Sequence, residues 1–219
     1  ITNGMGIKTR VTYKPLTDSM VYTKGIQAVF PEQDLIAPLY VVSQTGIDDA
    51  AGGQYVTDYS YAGARLHRQG RGLLGFREVK SSDPQTGITT VTTFRQDFPY
   101  TGMAESSRRI YYGTVIDETG NSLVAVMDIN GHAGVVFPYI SRSVQRKYDV
   151  PTGSTAGALI KTVQTDTTYY VSQGAHYGNP SAISVVTTAA SGEIYSKDTI
   201  NNYSTPYIAK FVLNPLIST

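Results

Sequence analysis

Polar and apolar positions alternate from the start of the chain. Ile7, Thr9, Val11 and Tyr13 fall on one face of an extended segment while Lys8, Arg10, Thr12 and Lys14 fall on the other, which predicts a strand with one wet side that Pro15 closes. After Met20-Val21-Tyr22-Thr23, Pro31 and Pro38 interrupt the chain and predict an irregular connection, not a helix. Leu39-Tyr40-Val41-Val42 predicts a second strand. From Gln54 the positions Tyr55, Thr57, Tyr59 and Tyr61 share one face, and Gly63, Gly70, Gly72 and Gly75 follow, the pattern of an aromatic strand running into a glycine-rich bend.

Two hairpins are predicted next. Phe76 to Ser81 and Ile88 to Arg95 are β-rich runs joined by Ser82-Asp83-Pro84-Gln85-Thr86-Gly87, in which Asp-Pro sets a turn and Gly87 supplies a permissive backbone. Ile110 to Ile116 and Leu123 to Met127 flank Asp117-Glu118-Thr119-Gly120-Asn121, which is read as the second turn. The runs Val135 to Ile140, Leu159 to Gln164, Thr167 to Val171, Ile183 to Thr188 and Glu193 to Ser196 continue the series. The expectation is an all-β antiparallel meander of about ten strands with short hairpins, at roughly 10 to 20 residue spacing. No stretch keeps a helical period over three turns, and Pro206 and Pro215 limit ladder bonding after Tyr203.

Composition agrees with that pattern. The chain has 219 residues, 26 of them Thr, 21 Gly and 17 Tyr, with only 16% charged residues, so the charged surface of a helical protein is missing. Eighteen basic and 17 acidic residues give a net charge of +1, without a run of like charges longer than two, so no electrostatic footprint for nucleic acid or anionic lipid is visible. The absence of Cys excludes disulfides and thiolate metal sites. No window has the apolar length of a membrane-spanning helix, and Ile1-Thr2-Asn3-Gly4 resembles neither a signal peptide nor an initiator sequence, which leads to the expectation of a segment from a longer chain.

Candidate chemistry is sparse. His67, His132 and His176 are far apart and match no metal-binding spacing, so each is read first as a sheet or surface histidine. Asp128, Asn130 and Gly131 resemble the start of a calcium loop, yet Ala133, Gly134, Val135 and Val136 follow where a closing carboxylate is needed. Gly70-Arg71-Gly72-Leu73-Leu74-Gly75 would need a following helix to cradle a phosphate; the strand-like Phe76-Arg77-Glu78-Val79-Lys80 follows instead, and a bend or bulge is expected. There is no Gly-x-Ser-x-Gly elbow, and no acid pair can be chosen by spacing. Tyr55, Tyr59, Tyr61, Tyr111, Tyr112, Tyr169 and Tyr170 are read as cross-strand ladders, with a sugar-stacking platform as the alternative. No enzyme, cofactor or metal site is therefore expected.

One block goes further. Gln54 to His67, with its Tyr59-Ser60-Tyr61-Ala62-Gly63, and then Gln69-Gly70-Arg71-Gly72-Leu73-Leu74-Gly75-Phe76, resembles the B components of bacterial insecticidal Tc toxin complexes, and is similar to virulence-plasmid B-type proteins and the Rhs/YD-repeat family. The flanks at Thr9 to Thr17, Val21-Tyr22-Thr23, Tyr40 to Ser43 and Thr92 to Gly102 resemble the segment that follows the integrin-like propeller in that family. Tyr177-Gly178-Asn179-Pro180 resembles a YD-repeat element. The resemblance divides the chain into a B-component-like segment, 1–103, and an Rhs/YD-like segment, 104–219, in one continuous sheet.

What the resemblance implies is a non-catalytic part of a secreted or cell-surface toxin, in which such strands form a β-shell that encapsulates a toxic C-terminal polypeptide and helps deliver it. Its partners would be the rest of its parent chain and other toxin-complex subunits, with no nucleic acid and no membrane span. The residues singled out as structural are Tyr59, Tyr61, Gly63, Gly70, Arg71, Gly72, Gly75, Phe76, Tyr177, Gly178, Asn179 and Pro180. The chain departs from the family in having no Rhs-type self-cleavage motif, propeller repeats or cargo. An extracellular carbohydrate- or receptor-binding β-module and a β-rich hydrolase are the competing readings. An isolated shell segment is expected to leave a sheet edge open and to self-associate.

Overall fold

The computed structural model describes residues 1–128, 133–152, 157–171, 178–204 and 216–219. Those residues contain no helix, and the protein is all-β. They form two compact units. The first comprises Ile1–Ile116 with the described residues of Val150–Ala156, and the second Asp117–Asp149 with the described residues of Gly157–Thr219.

In the first unit the strands are β1 (Thr9–Pro15), β2 (Tyr22–Thr23), β3 (Glu32–Asp34), β4 (Tyr40–Asp48), β5 (Gln54–Ala62), β6 (Arg65–His67), β7 (Gly72–Gly75), β8 (Glu78–Asp83), β9 (Ile88–Phe94) and β10 (Ala104–Tyr111). Six run antiparallel in the order β1-β4-β5-β8-β9-β10. β4 pairs β5 as far as Asp58; beyond it β2 joins β5 in parallel, Tyr22 opposite Tyr61. β3, β6 and β7 make a second antiparallel sheet. The core lies where residues of both sheets meet: Leu16, Tyr22 and Ala64 are buried, with Leu35, Val41, Tyr61 and Phe76 packed against them.

The β8–β9 hairpin has the predicted turn. Gln85 and Thr86 donate their N–H groups to the Asp83 carboxylate at 2.9 and 3.2 Å, and Gly87 takes a φ of +69° beneath the Tyr112 ring. The alternation read for β1 holds only through Thr12. A bulge between Thr12 and Tyr13 shifts the register with β4, leaving Tyr13 57% exposed and Lys14 half-buried. A single extra residue exchanges the two faces for everything beyond it. The glycine-rich stretch is also more than a bend, because it supplies β7 to the second sheet.

β11 (Thr114–Met127) passes from the first unit into the second, which also contains β12 (Val136–Tyr148), β13 (Leu159–Tyr169), β14 (Pro180–Ala189), β15 (Ile194–Ile200), β16 (Asn202–Tyr203) and β17 (Leu216–Ser218). Within this unit β11 to β15 are sequential antiparallel neighbours, and β16 pairs with β17. Two expected boundaries are corrected. Gly120 and Asn121 do not turn the chain but lie within β11, opposite Val144 and Ser143. The turn before β11 is made by Tyr112 and Gly113, at φ +44° and +90°, the paired left-handed angles that suit the twist of a two-residue hairpin. Likewise Leu159–Gln164 and Thr167–Val171 are not two strands; β13 runs through Thr165 and Asp166, and Asp166 is held across the sheet by Arg142. Seventeen strands are described where about ten were expected, the additions including the two- and three-residue strands β2, β3, β6, β16 and β17.

Among the described residues of the second unit, no apolar side chain is buried. Its strands are held instead by ladders. Glu118 accepts a hydrogen bond from Tyr148 at 2.9 Å and pairs with Arg146 at 3.5 Å, while Gln145 donates to Asp117 at 3.0 Å. Phe137, Tyr139 and Tyr169 form a ring cluster with centroids 4.7 to 5.6 Å apart. Register shifts interrupt the β11–β12, β12–β13 and β13–β14 pairings.

Candidate functional site

The residues of the Tyr-x-Tyr and glycine-rich block converge in the first unit. Tyr61 points into the core and donates its hydroxyl to the Val42 carbonyl at 2.9 Å; Phe76 lies 4.7 Å from its ring and 6.2 Å from that of Tyr22. Tyr22 is 4% exposed, donates to the Leu35 carbonyl at 2.6 Å and accepts the Ala64 N–H at 3.1 Å. Burial pushes the Tyr22 and Tyr61 hydroxyls above their ordinary titration range. Both therefore act as neutral phenols that join backbone segments.

Gly63 and Gly75 open and close the turn between these aromatics, with φ of +64° and +83°. Gln96, buried after β9, donates its side-chain amide to both carbonyls, at 2.7 Å to Gly63 and 2.8 Å to Gly75. A Cβ at Gly63 would lie 2.9 Å from Arg77 Cβ, so close approach as well as backbone angle requires glycine there. Gly70 and Gly72 also have positive φ but open surroundings. Arg71 leaves the core and stacks its guanidinium 3.7 Å from the Phe98 ring centroid. Tyr59 is half-buried on β5, opposite Ser81. Nothing in the spacing signalled Gln96, which lies in an irregular segment, or Tyr22, on a two-residue strand.

Charged groups nearby are already paired. Arg65 bridges Glu32 at 2.9 Å and Asp34 at 3.4 Å, Arg77 pairs with Glu105, and both line a cleft of about 230 Å³ with Asp34, Gly63 and Gln96. Two hydrogen bonds from Arg95 hold the Asp97 carboxyl below its ordinary value. This is a fastening of loops to sheet by fixed ion pairs.

The other predicted residues lie elsewhere. Tyr177 falls outside the described residues; Gly178 and Asn179 are tied to Tyr170 by backbone bonds, Gly178 N–H to Tyr170 O and Tyr170 N–H to Asn179 O, both 3.0 Å. The Pro180 carbonyl accepts from Asn201 at 3.1 Å and from the Tyr203 hydroxyl at 3.0 Å. The tyrosines divide into separate groups: Tyr61 in the core, Tyr111 edge-on to Tyr112, Tyr169 with Phe137 and Tyr139, Tyr170 edge-on to Tyr203, and Tyr55 at 65% exposure. His67 accepts the Gln69 N–H, while His132 and His176 lie outside the described residues, as do Asn130 and Gly131 of the calcium-like loop. Asp128 accepts the Gly134 N–H at 2.6 Å. No cluster of three metal-ligating side chains occurs among the described residues, nor any helix long and apolar enough to cross a membrane.

Comparison with known proteins adds to this geometry. The backbone is similar to a crystal structure of TcdB2-TccC3 without its hypervariable C-terminal region, at a TM-score of 0.57 and 13% identity over 94% of this chain. It is also similar to TcdB2-TccC3-Cdc42, at 0.56 and 12% identity over 94%. The chain spans only 12% and 13% of the lengths of those two chains. No curated protein matches the sequence. Residues 1–102 match the family described as insecticide toxin TcdB middle/N-terminal region, the stretch that contains the Tyr22, Tyr61, Gly63, Gly75 and Phe76 assembly. Over residues 1–102, just under half of the chain, the sequence is similar to this region of the Tc toxin B component.

Proposed function

We propose that the chain is a non-catalytic structural segment of a bacterial toxin-complex protein, forming part of a β-shell that encloses a toxic C-terminal polypeptide and helps deliver it. The observation that carries this reading is the second unit, a sheet of long strands without a buried apolar side chain among its described residues. A free-standing domain would cover one face of such a sheet. Wall between two aqueous spaces is an environment in which both faces stay wet, and polar and aromatic ladders then replace a core. The similarity to TcdB2-TccC3 structures supports the same reading.

On this proposal the 104–219 segment is Rhs/YD-like, Gly178, Asn179 and Pro180 fix a strand junction, and the block from Tyr59 to Phe76 joins irregular loops to the wall. The partners are the rest of the parent chain and other toxin-complex subunits, and the protein is secreted or carried at the cell surface. The test is protease protection of the C-terminal polypeptide in a longer parent chain. Loosening the wall by Tyr22→Ala is expected to expose that polypeptide to cleavage. Unchanged protection, or hydrolysis of an ester or glycan by the chain that is lost on substituting a named residue, would overturn the reading.

A further inference from the structure

β15 ends the strand order of the second unit. Its only sheet partner among the described residues is β14, and Ile194, Tyr195 and Ile200 are 62 to 67% exposed. Two backbone bonds fix which groups point outward. Ala189 N–H donates to Glu193 O at 2.8 Å and Asn201 N–H to Ser181 O at 2.9 Å, so the odd-numbered residues of β15 turn their backbone toward β14. The N–H and C=O groups of Ile194, Ser196, Asp198 and Ile200 therefore face away from the sheet. A hollow of about 540 Å³ lies beside Lys197, Asp198, Thr199 and Ile200, with Asn202 and Ser218 on its rim. Lys197 and Asp198 are both exposed, and neither makes an ion pair among the described residues.

An open edge would ordinarily pair with its own copy, but alternation limits how it can do so. Residues directly opposite in an antiparallel pair are either both hydrogen-bonded or both not, so in a symmetric pair of folded copies odd residues meet odd and even meet even. The one register that overlaps all seven residues of β15 sets Lys197 against the second copy's Lys197. Shifting one way sets Asp198 against Asp198; shifting the other sets Lys197 and Asp198 against Tyr195 and Ile194. The favourable match, Lys197 to Asp198 and Asp198 to Lys197, would pair odd with even and is closed to a copy whose other edge is already bonded to β14.

We propose that β15 is a docking edge for one extended polypeptide strand that carries a basic residue followed by an acidic one, added antiparallel so that the base meets Asp198 and the acid meets Lys197. The same two charges keep folded copies of the chain from pairing there. An incoming strand has no second edge committed, so it can take the register that a folded copy cannot. This inference rests on the geometry of β15, not on the shell reading, which a failed titration would leave standing.

The test titrates the 219-residue chain with two synthetic heptapeptides, Thr-Val-Thr-Lys-Glu-Thr-Val and its charge-swapped form Thr-Val-Thr-Glu-Lys-Thr-Val, following backbone amides by NMR. Binding of the first is expected to protect the Ser196, Asp198 and Ile200 amides from exchange, with the second about tenfold weaker. In the double variant Lys197→Asp with Asp198→Lys the preference should reverse. Sedimentation should show no concentration-dependent pairing through β15 in the natural sequence, and pairing after Lys197→Thr. Equal affinity for both peptides, binding of neither, or self-association of the natural chain with those three amides protected would each overturn the proposal.

Discussion

The two units share one chain chemistry and solve stability differently. In the first, two sheets meet and bury Leu16, Tyr22, Ala64 and Leu74 to within 4% exposure; in the second, the described residues bury no apolar side chain, and Asn201 is the one residue at 7%. Strand length compensates. The second unit has strands of up to 13 residues joined in sequence order, so each added residue brings a ladder bond and a cross-strand pair, whereas the first has strands of at most nine residues and includes short ones fixed by side chains from elsewhere. A local defect should therefore cost much in the first unit and little in the second.

The largest expected break is Tyr22→Ala, which removes a buried ring and two hydrogen bonds and should destabilise the first unit by about 3 to 5 kcal/mol. Tyr139→Ala in the second unit should cost about 1 kcal/mol, the scale of a cross-strand pair. Native-state hydrogen exchange, read separately on β5 and β13, checks both; equal losses would remove the contrast. Next comes Gln96→Leu, which strands the carbonyls of Gly63 and Gly75 and should cost about 1 to 3 kcal/mol in a denaturant melt.

Glycine substitutions sharpen the picture further. Gly72→Ala meets open space and pays only for its left-handed angle, about 1 to 2 kcal/mol, and Gly63→Ala should cost more because its new methyl collides with Arg77. Thermal melts that rank Gly72 above Gly63 would contradict the assigned geometry. The smallest effect belongs to the exposed Arg142–Asp166 pair, whose loss in Arg142→Ala should barely move the denaturant midpoint and should shrink further with added salt. Hydrogen bonds from Arg142 and Gln164 hold Asp166 below its ordinary 3.8. Its contribution is complete above that value and fades as acid takes the pH down through the lower folded value, so an acid titration of the β12–β13 amides should lose protection only below about pH 4.

Legibility in the sequence followed the range of the interactions. The β8–β9 turn was readable because Asp83, Pro84 and Gly87 act on residues next to them. The β10–β11 turn was misplaced because Gly120-Asn121 and Tyr112-Gly113 carry similar local signals, and the choice between them rests on pairing with β12. The second sheet was invisible: β3 and β7 are three and four residues long, and their partner β6 is over thirty residues from β3. At the candidate site, Tyr61, Gly63, Gly75 and Phe76 were singled out and do converge, while Tyr59, Gly70 and Gly72 lie outside the buried contact. Gln96 and Tyr22 fell within flanking blocks of the resemblance but were not singled out: a polar side chain bonding two distant carbonyls leaves no periodic trace, and Tyr22 sits on a two-residue strand.

Ser141 behaves as a phase marker. The register steps from Arg142 opposite Ser122 to Ile140 opposite Leu123, passing over Ser141. Deleting that one residue would remove no core contact and no ion pair and would bring the two halves of the β11–β12 ladder into one continuous register, whereas deleting a paired neighbour would make either the Phe137–Tyr139 side or the Arg142–Arg146 side exchange faces. Away from the bulge, insertions and deletions in such a strand are thus constrained by parity as much as by length, and changes of two residues should be tolerated where changes of one are not.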